Sequence, residues 1–145
     1  MHPDSLYKDI LLDHYHHPRN KGADLLDDVD IVLRGANPRC GDEVEVGIKI
    51  DGGRLTTVAF RGRGCSVCIA SASLMTEAAR SLTIDEARDI CRSILAWFDK
   101  ADAGEPANLP TELSALAAVH RYPARSRCVM LSWEALAGAL DMFSD

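Results

Sequence analysis

Between Glu43 and Ile50 the chain reads "EVEVGIKI", with Val44, Val46, Ile48 and Ile50 set against Glu43, Glu45 and Lys49. A strict period of two over eight residues predicts a strand with one face buried. "DGG" at 51–53 predicts a glycine-rich hairpin turn, and "RLTTVAFRG" returns as the partner strand. Upstream, "VDIVLRG" (29–35) alternates Val29, Ile31 and Leu33, which predicts a third strand before these two. Outside this region the period changes to that of helices. Residues 4–16 place Leu6, Ile10, Leu11 and Tyr15 on one stripe, stopped by Pro18. "SVCIASASLMTEAARSL" from Ser66 is rich in small residues suited to close packing on a sheet. Thr83 followed by Glu86 predicts a capping box opening a helix over 84–100, with Ile84, Ala87, Cys91, Ile94, Leu95 and Phe98 as its buried stripe. "ADAGEPANLP" is a loop, "TELSALAAVH" a short helix, and 126–142 a terminal helix carrying Leu131, Leu136 and Leu140. The fold class expected is α+β: a small three-stranded antiparallel sheet packed against several helices.

Composition narrows the function. The 145 residues fit one domain spanning 1–145, and 47% apolar with 26% charged residues is ordinary for a globular protein. A formal charge of −6 and a pI near 5.3 argue against nucleic-acid or anionic-membrane binding, which need basic surfaces. No apolar run is long enough to span a membrane, and the charged start is no secretory signal. Five cysteines, an odd number, then imply reduced thiols in the cytoplasm.

Three of those cysteines share a setting. Cys40 lies on the loop that feeds the "EVEVGIKI" strand, Cys65 follows "RGRG" where a strand gives way to a helix, and Cys128 falls in the first turn of the terminal helix. The starts of helices favour the thiolate, the form that ligates metal and acts as nucleophile. Asp42 adds an oxygen beside Cys40. Together, Cys40, Asp42, Cys65 and Cys128 would form a tetrahedral set suited to zinc, or to an iron–sulfur cluster with one weak ligand.

The flanking residues decide what such a set is for. "NPRCGD", "GRGCSVCIASASLMTEA" and "RSRCVMLSW", with the opening "LYKDILLDHYHHPRNKG", resemble the NifU/IscU family of iron–sulfur assembly proteins from Leu6 to about Leu136. The resemblance implies the NifU-like sandwich and a protein that receives sulfur from a cysteine desulfurase. Scaffolds of the IscU type carry a histidine directly before the last cysteine, where this chain has Arg127, and they lack the extra loop and helix supplied here by "ADAGEPANLPTELSALAAVHRYPA". Both features are similar to the SufU branch. That likeness implies that Cys40, Asp42, Cys65 and Cys128 ligate zinc, and that Cys40 accepts persulfide sulfur from a SufS-type cysteine desulfurase. Arg125 would steer the partner or hold the persulfide. Downstream assembly or acceptor proteins would take the product. The alternative is a scaffold building a [2Fe–2S] cluster on the same ligands, and a third reading is a structural zinc domain.

Cys68 completes a C-x-x-C with Cys65, but the thioredoxin-like alternation that motif normally accompanies is missing, and Cys68 reads as a packing residue, as does Cys91. His14, His16 and His17 fall in the last turn of the first helix, where they cap carbonyls. His120 ends a surface helix, Glu43 and Glu45 face solvent, and Trp97 and Trp133 anchor the core.

Overall fold

The computed structural model describes residues 3–37 and 41–143. Its centre is a sheet of β1 (Ile31–Asn37), β2 (Asp42–Asp51) and β3 (Arg54–Arg63), all antiparallel, in the order β1-β2-β3. Gly52 and Gly53, at φ 61° and 78°, make the two-residue connection between β2 and β3, a turn that needs positive φ at both positions. Val44, Val46, Ile48, Leu55, Val58 and Phe60 are buried, as the period of two requires. On the opposite face Glu43 accepts from Arg34 at 2.6 Å and Glu45 from Arg61 at 2.8 Å across the strands. The first strand begins two residues later than its alternation suggests. Val29 instead lies over Gly47 of β2, where a Cβ would meet Val29 Cγ2 at 3.0 Å.

Two helices cover the buried face: α2 (Ser66–Ala79) lies against β3, and α5 (Ser126–Asp141) against β1 and β2. Small residues let them approach. At Gly35 a Cβ would lie 3.0 Å from the Leu131 carbonyl oxygen. Between the helices, Trp133 donates from Nε1 to Ser71 Oγ at 3.0 Å, and Ser71 donates to the Val129 carbonyl at 2.8 Å. A helix α3 (Ile84–Asp99) packs on α5, and its start carries both halves of the capping box between Thr83 and Glu86. Cys91 is in the core of α3, where burial pushes its thiol up to about 12.

The first helix, α1 (Pro3–His16), departs from the expected stripe. Ile10 and Leu11 pack against the core as expected, but Leu6 and Tyr15 are exposed, and the fully buried residue among those described is His14. Its Nδ1 meets Ser73 Oγ at 2.7 Å and its Nε2 donates to Glu112 at 2.9 Å, joining α1 to α2 and to the segment before α5. A histidine satisfied on both nitrogens can enter an apolar interface without penalty, and periodicity does not register it. The segment "TELSALAAVH" is a 3₁₀ stretch (Thr111–Leu116) followed by one α turn, α4 (Ala117–His120), not a continuous helix. His120 donates from Nε2 to the Trp97 carbonyl at 2.6 Å, stacks on the Trp97 ring, and so closes the end of α3. Among the described residues no helix is long and apolar enough to cross a membrane.

Candidate metal centre

The third strand ends at Arg63, the chain crosses Gly64, and Cys65 becomes the N-cap of α2 with an extended backbone. The first turn of α5, preceded by a 3₁₀ turn over Pro123–Arg125, delivers Cys128 to the same end of the sheet. Asp42, the first residue of β2, faces both. One ligand atom each from Asp42, Cys65 and Cys128 lies within 4.8 Å of the others. They sit in an open cleft of about 480 Å³ that Arg63 and Arg125 also line.

Asp42 is only 4% exposed. Its Oδ1 accepts the backbone N–H of Cys65 at 3.2 Å, which fixes the carboxylate at the start of α2. Its Oδ2 is buried with no hydrogen-bond partner among the described residues. A buried, orphaned carboxylate oxygen costs stability unless something binds it. The approach of Asp42 is made possible by Gly64, where a Cβ would sit 3.0 Å from Asp42 Cγ and Oδ1 and 3.0 Å from Cys68 Sγ.

Burial pushes the Cys128 thiol far above its ordinary value, and the neighbouring Cys65 sulfur and Asp42 carboxylate push it the same way. This reverses the expectation from its helix-start position, because burial comes first among the influences on the thiol and the contacts with Cys65 and Asp42 act in the same direction. A divalent cation would remove the conflict, since every donor gains by ionising towards it. Zinc bound tetrahedrally, with bonds of about 2.3 Å to sulfur and 2.1 Å to oxygen, needs donors about 3.5–3.8 Å apart. The donor chemistry, a carboxylate and two sulfurs all within 4.8 Å of one another, and the orphaned Oδ2 fit a divalent ion.

Of the residues singled out in the sequence, Asp42, Cys65, Cys128 and Arg125 meet in this cleft. Cys40 lies outside the described residues, although Gly41, which follows it, lines the cleft. Arg127 pairs with Glu134 at 3.1 Å and is not among the lining residues. His16 and His17 are exposed and distant in sequence from the cleft, and His14 is committed to Ser73 and Glu112. Two contributors escaped sequence reading: Arg63, a second cation at the thiols, and Gly64, whose missing side chain admits Asp42. Both stand inside "RGRGC", and the alternation of arginine with glycine directly before a ligand-type cysteine is the signal that marks them.

Comparison with known proteins places this geometry. Residues 6–145 match the family described as "NifU-like N terminal domain". The chain is 38% identical over 133 residues to the zinc-dependent sulfurtransferase SufU of Bacillus subtilis (strain 168), covering 92% of this chain and 88% of that one. It is 32% identical over 138 residues to the iron–sulfur cluster assembly scaffold protein IscU of Streptococcus pyogenes serotype M1, with 93% and 82% covered. A crystal structure from Fervidobacterium islandicum AW-1, proposed as an iron–sulfur cluster assembly scaffold for the SUF system, superimposes with a TM-score of 0.82 at 26% identity over 96% of this chain and 99% of that one. The N-terminal part of a NifU-like protein from Brucella abortus shares the fold, with a TM-score of 0.81 at 23% identity over 97% and 98% of the two chains.

Proposed function

Because the chain belongs to the NifU-like N-terminal domain family of iron–sulfur cluster assembly proteins, we propose that it is a zinc-dependent sulfur acceptor of the SufU kind, serving a SufS-type cysteine desulfurase in the cytoplasm as a single domain over 1–145. The observation that carries this reading is the convergence of Asp42, Cys65 and Cys128 within 4.8 Å, with a buried carboxylate oxygen that has no hydrogen-bond partner among the described residues. Cys40, covalently next to the cleft-lining Gly41 and two residues before Asp42, supplies the fourth ligand. Zinc held by these four would keep sulfur as thiolate and contribute no redox chemistry of its own.

The chain's own residues have separable tasks. Cys40 is the acceptor: its thiolate attacks the outer sulfur of the desulfurase persulfide, a new sulfur–sulfur bond forms on Cys40, and the desulfurase thiolate leaves. Arg125 and Arg63 line the cleft and place positive charge where an anionic persulfide arrives. Cys65 and Cys128 hold the site together. Asp42, a harder ligand than a thiolate, leaves it able to open.

A scaffold reading, in which a [2Fe–2S] cluster is built on the same residues, is favoured by the similarity to the scaffold relatives. Against it stands the residue before Cys128: Arg127 is a cation engaged with Glu134 and offers no ligand atom. The deciding experiment incubates the protein anaerobically with a SufS-type desulfurase, cysteine and a reductant, with and without ferrous iron. Faster alanine release without iron, and no stable chromophore with it, is the expected result. An iron-dependent chromophore with little stimulation would establish the scaffold instead.

A further inference from the structure

Cys68 is the packing residue that its sequence context suggests, and it has a further neighbour. It is buried, as a packing residue would be, but it packs at the edge of the thiol cleft. The point that a Cβ on Gly64 would occupy lies 3.0 Å from Cys68 Sγ and equally 3.0 Å from Asp42 Oδ1. Cys68 is thus directly behind the donor set. Cys65 is the N-cap of α2 and Cys68 the third residue of that helix, and the Cys65 carbonyl already accepts the Ile69 N–H at 3.1 Å. Helical geometry therefore sets their Cα atoms about 5 Å apart, inside the range a disulfide spans. Side chains on a helix lean towards its N-terminus, so Cys68 leans towards Cys65.

We propose that Cys65 and Cys68 form a reversible disulfide when a hydroperoxide enters the cleft, taking the metal-binding donor set apart and protecting Cys65 from irreversible oxidation. Cys65 is half-buried and lines the open cleft, whereas Cys68 is 1% exposed and reachable only from within. The Cys65 thiolate attacks the peroxide oxygen. The O–O bond breaks, the alcohol (water, for hydrogen peroxide) leaves with a proton from solvent, and Cys65 becomes a sulfenic acid. The Cys68 sulfur then attacks the Cys65 sulfur, the S–S bond forms, and water departs carrying the Cys68 proton. The two thiols are oxidised and one peroxide is reduced by two electrons. Pairing needs only the two thiols and the start of α2; loss of metal as its consequence rests on the zinc reading above.

The full-length protein, metal-free in one arm and zinc-loaded in the other, is treated with one equivalent of hydrogen peroxide. Free thiols are alkylated, and peptides are mapped by mass spectrometry before and after dithiothreitol. The expected result is a Cys65–Cys68 disulfide in both arms, release of zinc to a chromogenic chelator in the loaded arm, and full recovery of both thiols on reduction. Given a second equivalent of peroxide, which carries a sulfenic acid on to the sulfinic, Cys68→Ser, close to the original in volume, and Cys68→Ala should instead accumulate sulfinic acid at Cys65 that dithiothreitol does not reverse. Pairing of Cys65 with Cys40 or Cys128, or over-oxidation of Cys65 while wild-type Cys68 stays reduced, overturns the proposal. A Cys65–Cys68 disulfide in a protein that never took up zinc upholds it and sinks the zinc reading alone.

Discussion

Replacing Gly64 with alanine tests how the candidate centre is assembled. The added methyl would stand 3.0 Å from Asp42 Cγ and Oδ1 on one side and 3.0 Å from Cys68 Sγ on the other. Ordinary carbon contacts begin at about 3.5 Å, so each neighbour must retreat by about half an ångström. Cys68 is in the core and has little room to move. Asp42 can move, but its Oδ1 already stands 3.2 Å from the Cys65 N–H, and the same retreat takes it beyond hydrogen-bond reach. Overpacking costs about 1–3 kcal/mol, and a hydrogen bond to a charged group contributes about 1.5–3 kcal/mol, so a net destabilisation of about 2.5–6 kcal/mol is expected. The lower half of that range leaves a domain of ordinary stability folded, with weakened metal binding. Urea unfolding and zinc competition against a chromophoric chelator would be measured for Gly64→Ala, Asp42→Ala and the double variant. Because Gly64 acts on the metal through Asp42, the affinity losses should be strongly non-additive. Unchanged stability and affinity in Gly64→Ala, or fully additive losses, would refute the reasoning.

Zinc affinity should rise with pH from 6 to 8, by about tenfold per unit for each thiol proton displaced, because the raised Cys128 thiol keeps its proton until a metal takes its place; calorimetry in buffers of different ionisation enthalpy counts the protons, and a count of zero would contradict the donor set. Alkali should destabilise the metal-free protein. The folded Cys91 thiol is raised to about 12 from an ordinary 9.0, so its contribution is fully present below about pH 9 and is lost as pH rises towards 12. Cys91→Ala should flatten the alkaline limb of a stability–pH profile, and an unchanged slope would remove Cys91 as its source. Thr83→Ala deletes the hydroxyl that accepts the Glu86 N–H at 3.1 Å and should cost about 1 kcal/mol in urea unfolding, with metal binding untouched. Coupled loss of metal affinity would mean that α3 supports the centre more directly than its packing on α5 indicates.

Much of this architecture is local and was legible in the chain. The hairpin follows from an eight-residue alternation ending in two glycines, because each strand has one buried face and only a turn with positive φ joins them so tightly. The capping box of α3 rests on neighbours three residues apart. The ligand candidates were legible for a different reason: cysteines at strand–helix junctions, with a carboxylate beside one, have few other uses in a reduced chain, and the flanking motifs named the family that uses them.

What stayed hidden depends on residues far apart in sequence. His14 was read as a helix-end cap, yet it is buried because Ser73 and Glu112, 59 and 98 positions away, satisfy both ring nitrogens. "TELSALAAVH" became a 3₁₀ stretch and a single α turn where it packs against α1 and α2, a departure that no propensity records. The Cys128 thiol, expected to ionise readily at a helix start, is instead pushed upward by burial and by Cys65 and Asp42, which only the fold brings near. Gly64 and Cys68 took their meaning from the same convergence. By itself the sequence determined which residues are candidates for the chemistry and that Asp42, Cys65 and Cys128 fall at the starts of elements, since those rest on residue type and local backbone preference. The tertiary structure alone decided which side chains meet, what is buried with them and which proton each keeps, because desolvation and charge act through space and not along the chain.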